Sequence, residues 1–279
     1  AHTTDVWEFT PVSTANTWTL KAPFGGTKRY GAVGFSIGSK GYVGLGDDGT
    51  LEPYDPYRKD FWEYDSITDT WSQKALFEGT ARWGAVGFSI GDKGYVGGGD
   101  QVFNLVYSLA NDLWEYELKL TEDQLHWMRK TDFPGTARWG AVGFSIGDKG
   151  YLGTGFDGSS PLDDFWQYDP VADEWVQRAA FAGGVRSEAV GFSIGSRGYI
   201  GTGYDDSSAR ADFWEFNPNI NAWASKASFG GGERGSAVGF SIGNKGYIAT
   251  GAVSYQPAGD LWEYDSLHDV WARSADFAG

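Results

Sequence analysis

The seven residues AVGFSIG occur five times in this chain, starting at Ala32, Ala85, Ala141, Ala189 and Ala237. Each copy is followed by a polar residue, a Lys or Arg, and Gly-Tyr. An unchanged heptapeptide constrains the fold severely, because one packing solution has to serve in five places. The Gly-Tyr pairs at Gly41, Gly94, Gly150, Gly198 and Gly246 are separated by 53, 56, 48 and 48 residues. Periods of this length mark stacked supersecondary units and match a four-stranded propeller blade.

A second unit lies between the copies. It reads Asp-x-Trp-Glu-Tyr with small variations, starts at Asp5, Asp60, Asp112, Asp164, Asp212 and Asp260, and leads to a second tryptophan at Trp18, Trp71, Trp127, Trp175, Trp223 and Trp271. These six copies hold twelve of the 14 tryptophans and leave out Trp83 and Trp139. We read AVGFSIG as strand a, the Gly-Tyr stretch as strand b, Asp-x-Trp-Glu-Tyr as strand c and the second Trp as the start of strand d. Gly recurs too often for long helices, and the apolar spacing is that of strands. Strand a is uncharged and rich in small residues, as suits a crowded inner strand, whereas the aromatics of c and d suit the wider outer blade. Alternation sends Trp62 and Tyr64 to one face and Phe61 and Glu63 to the other.

With these motifs in place, the chain resembles the kelch repeats, and it is similar to bacterial kelch-like propellers of the galactose-oxidase central-domain type. The resemblance rests on an Arg entering strand a (Arg29, Arg82, Arg138, Arg186, Arg234), the Tyr of strand b, GYIGTG at Gly198 to Gly203, DFWQYDP at Asp164 to Pro170, and the Trp opening strand d. It covers essentially the whole chain, although the double glycine of the family is altered in most copies. It implies an all-β propeller of four-stranded antiparallel blades and, by association, an extracellular or cell-surface bacterial protein. Residues 1–279 are expected to form one domain, with 1–26 an orphan outer c/d half-blade and 27–279 five full blades. Five a/b halves and six c/d halves point to six blades with one incomplete; five blades plus an extra hairpin is the alternative. The missing a/b hairpin is expected from outside this sequence or from a partner, and an unpaired edge favours assembly through the half-blade. The start at Ala1 rather than at a Met is what a processed or trimmed form would show.

The chain carries a net charge of −15, which repels nucleic acid and anionic membranes. It has no cysteine, which removes thiolate metal sites and the Tyr–Cys cross-link of a copper-radical oxidase. No apolar run reaches the roughly 18 residues that span a bilayer, and no signal peptide is expected from these residues. The histidines, His2, His126 and His268, are scattered, and no hydrolase, Walker or zinc-protease motif occurs. No cofactor is expected.

The d–a and b–c loops share one end of each blade and are where the copies differ, so binding is expected there. The five arginines at the start of strand a either receive an anion or pair with the Asp that opens strand c. The residue after each Arg varies: Tyr30, Trp83, Trp139, Ser187 and Gly235. These aromatics, with Tyr54 and Tyr57 of the first b–c loop, either hold a sugar or peptide or plug the mouth of the loop end. Asp47, Asp48 and Asp157 in Asp-Gly turns are calcium candidates, although they lack the spacing of a dedicated loop. The recurring strand-c Glu residues are expected to bond between blades. The leading expectation is a non-catalytic propeller that binds a protein, peptide or glycan through this face. A structural subunit assembled through the half-blade, and a sugar-acting enzyme resembling kelch-type sialate mutarotases, are the alternatives.

Overall fold

The computed structural model describes residues 3–11, 16–50, 56–103, 106–118, 126–253 and 256–277. Every regular element among them is a strand. Five antiparallel sheets each hold four strands in the order a-b-c-d. Blade I comprises Val33–Ile37, Lys40–Gly44, Phe61–Asp65 and Thr70–Gln73, and blade II comprises Val86–Ile90, Lys93–Gly97, Leu113–Glu117 and His126–Lys130. Blade III comprises Val142–Ile146, Lys149–Gly153, Phe165–Asp169 and Glu174–Arg178, and blade IV comprises Val190–Ile194, Arg197–Gly201, Phe213–Asn217 and Ala222–Lys226. Blade V comprises Val238–Ile242, Lys245–Ala249, Leu261–Asp265 and Val270–Arg273. Val6–Thr10 and Thr17–Lys21 pair alone as a half-blade. The chain divides into two compact units, residues 1–7 with 20–139 and residues 8–19 with 140–279. Blades I and II belong to the first unit and blades III to V to the second.

Local chemistry accounts for these strands. The last Gly of each AVGFSIG turns the a–b hairpin with φ near +60°, as at Gly38, Gly91, Gly147, Gly195 and Gly243, a conformation that a side chain would resist. Upstream, Val, Phe and Ile alternate with Gly and Ser, so one face of strand a is apolar and the other is nearly bare. Blades I, III and IV pack their apolar faces on the bare faces of blades II, IV and V. A Cβ on Gly94 would lie 2.1 Å from the Phe35 ring, one on Gly198 2.4 Å from Phe144, and one on Gly246 2.5 Å from Phe192. The repeat therefore requires glycine at these positions, because a larger residue would displace a packed aromatic ring.

Aromatic contacts join the outer strands. Phe165 is stacked 5.6 Å from Tyr151 of its own blade and meets Phe216 and Trp223 of the next blade edge-on, each at 5.0 Å. Phe213 repeats the pattern with Tyr264 at 4.9 Å and Trp271 at 5.0 Å. Such edge-to-face pairs add to the stabilisation from burial. A clamp missed in the sequence also recurs between blades. Trp223 Nε1 donates to the Ala179 carbonyl at 3.0 Å, while Asn221 accepts from the Ala179 amide at 2.9 Å. Trp271 and Asp269 hold Ala227 in the same way, and Trp71 and Asp69 hold Ala22. Asn221, Asp269 and Asp69 all have positive φ, a conformation that short Asx side chains tolerate better than most.

The half-blade meets blade V through the same contacts. Trp18 Nε1 donates to the Ala275 carbonyl at 3.3 Å, its ring lies 5.1 Å from Phe277, and Phe9 lies 5.3 Å from Tyr247.

One expectation needs correction. The strand-c acids bond within their own blades: Glu63 accepts from Tyr42 at 2.7 Å, Glu115 from Tyr95 at 2.7 Å and Glu215 from Tyr199 at 2.8 Å. The cause is register, because Tyr and Glu face each other directly across strands b and c, as in Tyr199↔Glu215. The b–c loops, where binding is expected, carry strand pairing of their own. In blade II, Asp100–Phe103 pairs with both Val106–Leu109 and Arg82–Trp83, and in blade V, Ala252–Val253 pairs with Gln256–Pro257.

Candidate functional site

The arginines at the start of strand a are deeply buried; Arg82, Arg138, Arg186 and Arg234 are each 0 to 1% exposed. Arg186 grips Asp212 with both terminal nitrogens, at 2.6 and 3.0 Å, and donates to the Thr202 carbonyl at 2.8 Å. Arg234 does the same with Asp260 and the Thr250 carbonyl, Arg82 with Asp112 and the Gly98 carbonyl, and Arg29 with Asp60 and the Leu45 carbonyl. Each carboxylate also accepts from the indole of the strand-c Trp two residues on. A Phe ring lies under every guanidinium, from 4.7 Å at Phe229 to 5.4 Å at Phe181.

Burial pushes the Asp212 carboxyl up, but the hydrogen bond and charge of Arg186 outweigh it and hold the group below the usual carboxylate range. At Asp260 the hydrogen bond from Arg234 is the largest influence, and it also lowers the pKa. Arg29, Arg82, Arg186 and Arg234 are therefore tie-points between the d–a turn, the end of strand b and the start of strand c. Arg138 is buried against Phe133 and donates to the Thr136 carbonyl at 2.8 Å. Of the two roles open to these arginines, receiving an anion or pairing with the Asp that opens strand c, the second is the one seen at Arg29, Arg82, Arg186 and Arg234.

The arginines and their partners bring the d–a and b–c loops together. Tyr30 bridges to Asp47, Ser187 to Tyr204, and Gly235 to Ala252. Neighbouring blades are linked just beyond, through Gly84 N to the Gly31 carbonyl at 3.0 Å and Ser236 N to the Glu188 carbonyl at 3.1 Å.

On this scaffold the variable residues of the first unit form one aromatic and acidic cluster. Trp83 lies 5.9 Å from Tyr30 and 5.1 Å from Trp139. Its indole donates to Asp100 at 3.2 Å, and the Tyr57 hydroxyl donates to the same carboxylate oxygen, also at 3.2 Å. Tyr57 in turn packs edge-on to Tyr107 at 6.0 Å, and the Tyr30 hydroxyl donates to Asp47 at 2.5 Å. That hydrogen bond, with burial second, pushes the Tyr30 phenol up to about 12. Burial raises the Asp100 pKa, with the bonds from Trp83 and Tyr57 partly opposing it. Tyr30 is 42% and Tyr107 54% exposed, whereas Trp83 and Trp139 are half-buried. The arrangement offers flat ring faces beside two carboxylates, and it suits a neutral or cationic group better than an anion.

Tyr54 lies outside the described residues. Asp100 was not singled out in the sequence, yet it links Trp83 to Tyr57. A signal was present: it directly follows the Gly-rich end of strand b, where the copies read Asp47, Asp100, Phe156, Tyr204 and Ala252, and so it varies as the residue after Arg does.

The calcium candidates are engaged in their own turns. Asp47 accepts from the Gly49 amide at 2.6 Å, Asp48 from Thr50 and Arg58, and Asp157 from the amides of Ser159 and Ser160. Among the described residues no three His, Cys, Asp or Glu converge as a metal would need. His268 is exposed in a c–d turn beside Asp265. In the second unit, Tyr204, Asp205, Asp206, Glu233 and Val253 line an open acidic cleft of about 640 Å³. Among the described residues no helix is long and apolar enough to cross a membrane.

A family model described as Kelch motif matches residues 155–180, which carry strands c and d of blade III. The solved structure of YjhT is similar to this chain with a TM-score of 0.82 and 16% identity, over 98% of this chain and 91% of that one. At this identity the likeness is one of fold. No curated protein matches the chain.

Proposed function

The chain has the kelch-repeat β-propeller fold, and on that premise we propose that it is a binding protein that takes a peptide, protein or glycan on its d–a and b–c loop face. The observation that carries this is the cluster of Tyr30, Trp83, Trp139, Tyr57, Tyr107, Asp47 and Asp100. Residues that repeat in every blade are engaged in packing or pairing, whereas this cluster is assembled from positions where the copies differ. Carboxylates beside ring faces favour uncharged sugar rings or basic peptide segments over acidic ligands. A reaction on a sugar acid would require cations to meet its carboxylate, and four of the buried guanidiniums here already face their own Asp.

Glycan and basic-peptide arrays, followed by titration of the best hit, test the proposal. Trp83→Ala and Trp139→Ala should each weaken binding about tenfold or more, as truncation of aromatic anchors does. Unchanged affinity combined with a lowered melting temperature would make the cluster a plug and overturn the proposal, as would the absence of any hit at millimolar ligand.

A further inference from the structure

The AVGFSIG strand of blade V differs from the other four. Val238 is 57% and Ile242 38% exposed, against 2% and 7% for Val190 and Ile194 of blade IV. The residues are identical, so the neighbour makes the difference. In blade IV the apolar face is covered by the a–b hairpin of blade V, where a Cβ on Gly239 would lie 2.9 Å from Val190 and one on Gly246 2.5 Å from Phe192. The half-blade beside blade V has only strands c and d. Its Phe9 reaches Tyr247 at 5.3 Å and Phe240 at 6.4 Å, and Val238 and Ile242 stay open.

We propose that the Val238–Ile242 face is a docking site for a β-hairpin of the repeat's own a–b type, a site separate from the loop face. Shape argues for this occupant, because a strand lying on Val238 and Phe240 needs glycine where Gly191 and Gly198 stand against Val142 and Phe144. Backbone pairing argues for it too. Val6–Thr10 belongs to a two-stranded sheet, whereas every full blade has a b strand beside its c strand. A hairpin would add there by strand augmentation, with its Tyr opposite Glu8 as Tyr199 lies opposite Glu215. The site also continues an existing interface, since Phe9 and Trp18 already join the half-blade to blade V. A second copy of the chain is the rival occupant. Its blade I has open glycines, with nothing nearer than 3.6 Å to a Cβ on Gly34 or 3.8 Å to one on Gly41.

The test uses a synthetic peptide with the sequence of residues 189–203, titrated calorimetrically into the full chain. Saturable one-to-one binding is expected. It should weaken at least about tenfold with V238D, and also when the peptide carries Val in place of the glycines at 191 and 198. The peptide variant keeps the result interpretable even if V238D alters the fold. No binding at millimolar peptide, or equal binding by the valine peptide, would overturn the proposal. So would self-association of the chain that V238D abolishes, which would make the second copy the occupant.

Discussion

Blades IV and V contain the same inner strand, VGFSI, in two environments. In blade IV, Val190 and Phe192 are buried under the next hairpin, with Phe192 stacked 5.9 Å from Tyr199 and tilted against Phe213 at 5.8 Å. In blade V, Phe240 keeps its stacking on Tyr247 at 5.2 Å, but Val238 faces solvent. Strand formation and pairing register are the same in both, Val190↔Gly201 and Val238↔Ala249. Sequence thus determines the hairpin, while the adjacent blade determines how much of it is buried. The comparison separates what the repeat does locally from what it gains by stacking.

The largest contrast is expected from an aspartate at the valine position. Val190→Asp places an unpaired charge against packed blades and should cost more than about 4 kcal/mol, enough to unfold the second unit, whereas Val238→Asp should cost less than about 1 kcal/mol. Denaturant melts of the two variants would show it, and similar losses would break the comparison.

Next in size is the arginine anchor. Arg186→Ala and Arg234→Ala each remove a bidentate partner from an Asp and should each cost about 3 to 5 kcal/mol. These anchors have the same geometry in both blades, so equal losses would confine the difference to one face of strand a. A much smaller loss at Arg234 would mean that blade V is loose as a whole.

A methyl group gives a finer probe. Gly191→Ala meets Val142 at 2.8 Å and should cost about 1 to 3 kcal/mol, while Gly34→Ala meets nothing within 3.6 Å and should be close to neutral. Thermal melts would rank the pair, and a costly Gly34→Ala would show that its face is covered in solution.

The smallest effect is the pH dependence. Asp212 and Asp260 are held below the usual range by Arg186 and Arg234. A depressed carboxylate contributes stability that is fully present above its unfolded pKa of about 3.9 and is lost as pH falls through the folded value. Melting temperature should therefore be flat near neutrality and drop below about pH 4. Asp212→Asn should flatten part of that drop, and an unchanged acid limb in that variant would contradict the assignment.

Much of the fold was legible because its motifs act locally. AVGFSIG, the Gly-Tyr stretch, Asp-x-Trp-Glu-Tyr and the second Trp placed the four strands of each blade, whereas the pairing of Tyr with Glu inside a blade needed the register. The Asp69, Asn221 and Asp269 clamps were not legible, since an Asp in a turn reads as a turn residue until the amide it accepts from, one blade away, is visible. The arginines were legible as a set, and only burial shows that they face inward. Trp83 and Trp139 stood out as departures from the repeat, but their link to Tyr57 through Asp100 depends on a b–c hairpin that pairs with Arg82–Trp83. Exposure of Val238 is set by the neighbouring half-blade, and five identical heptapeptides cannot report it.

Identity of sequence makes the decisive measurement direct. Hydrogen exchange with mass spectrometric detection compares Val190–Ile194 with Val238–Ile242, whose intrinsic exchange rates are the same and whose flanking residues tell the fragments apart. The account predicts clearly faster exchange, about tenfold or more, in the blade V copy, with protection restored when the 189–203 peptide is added. Equal protection in the two copies, with or without peptide, would contradict it.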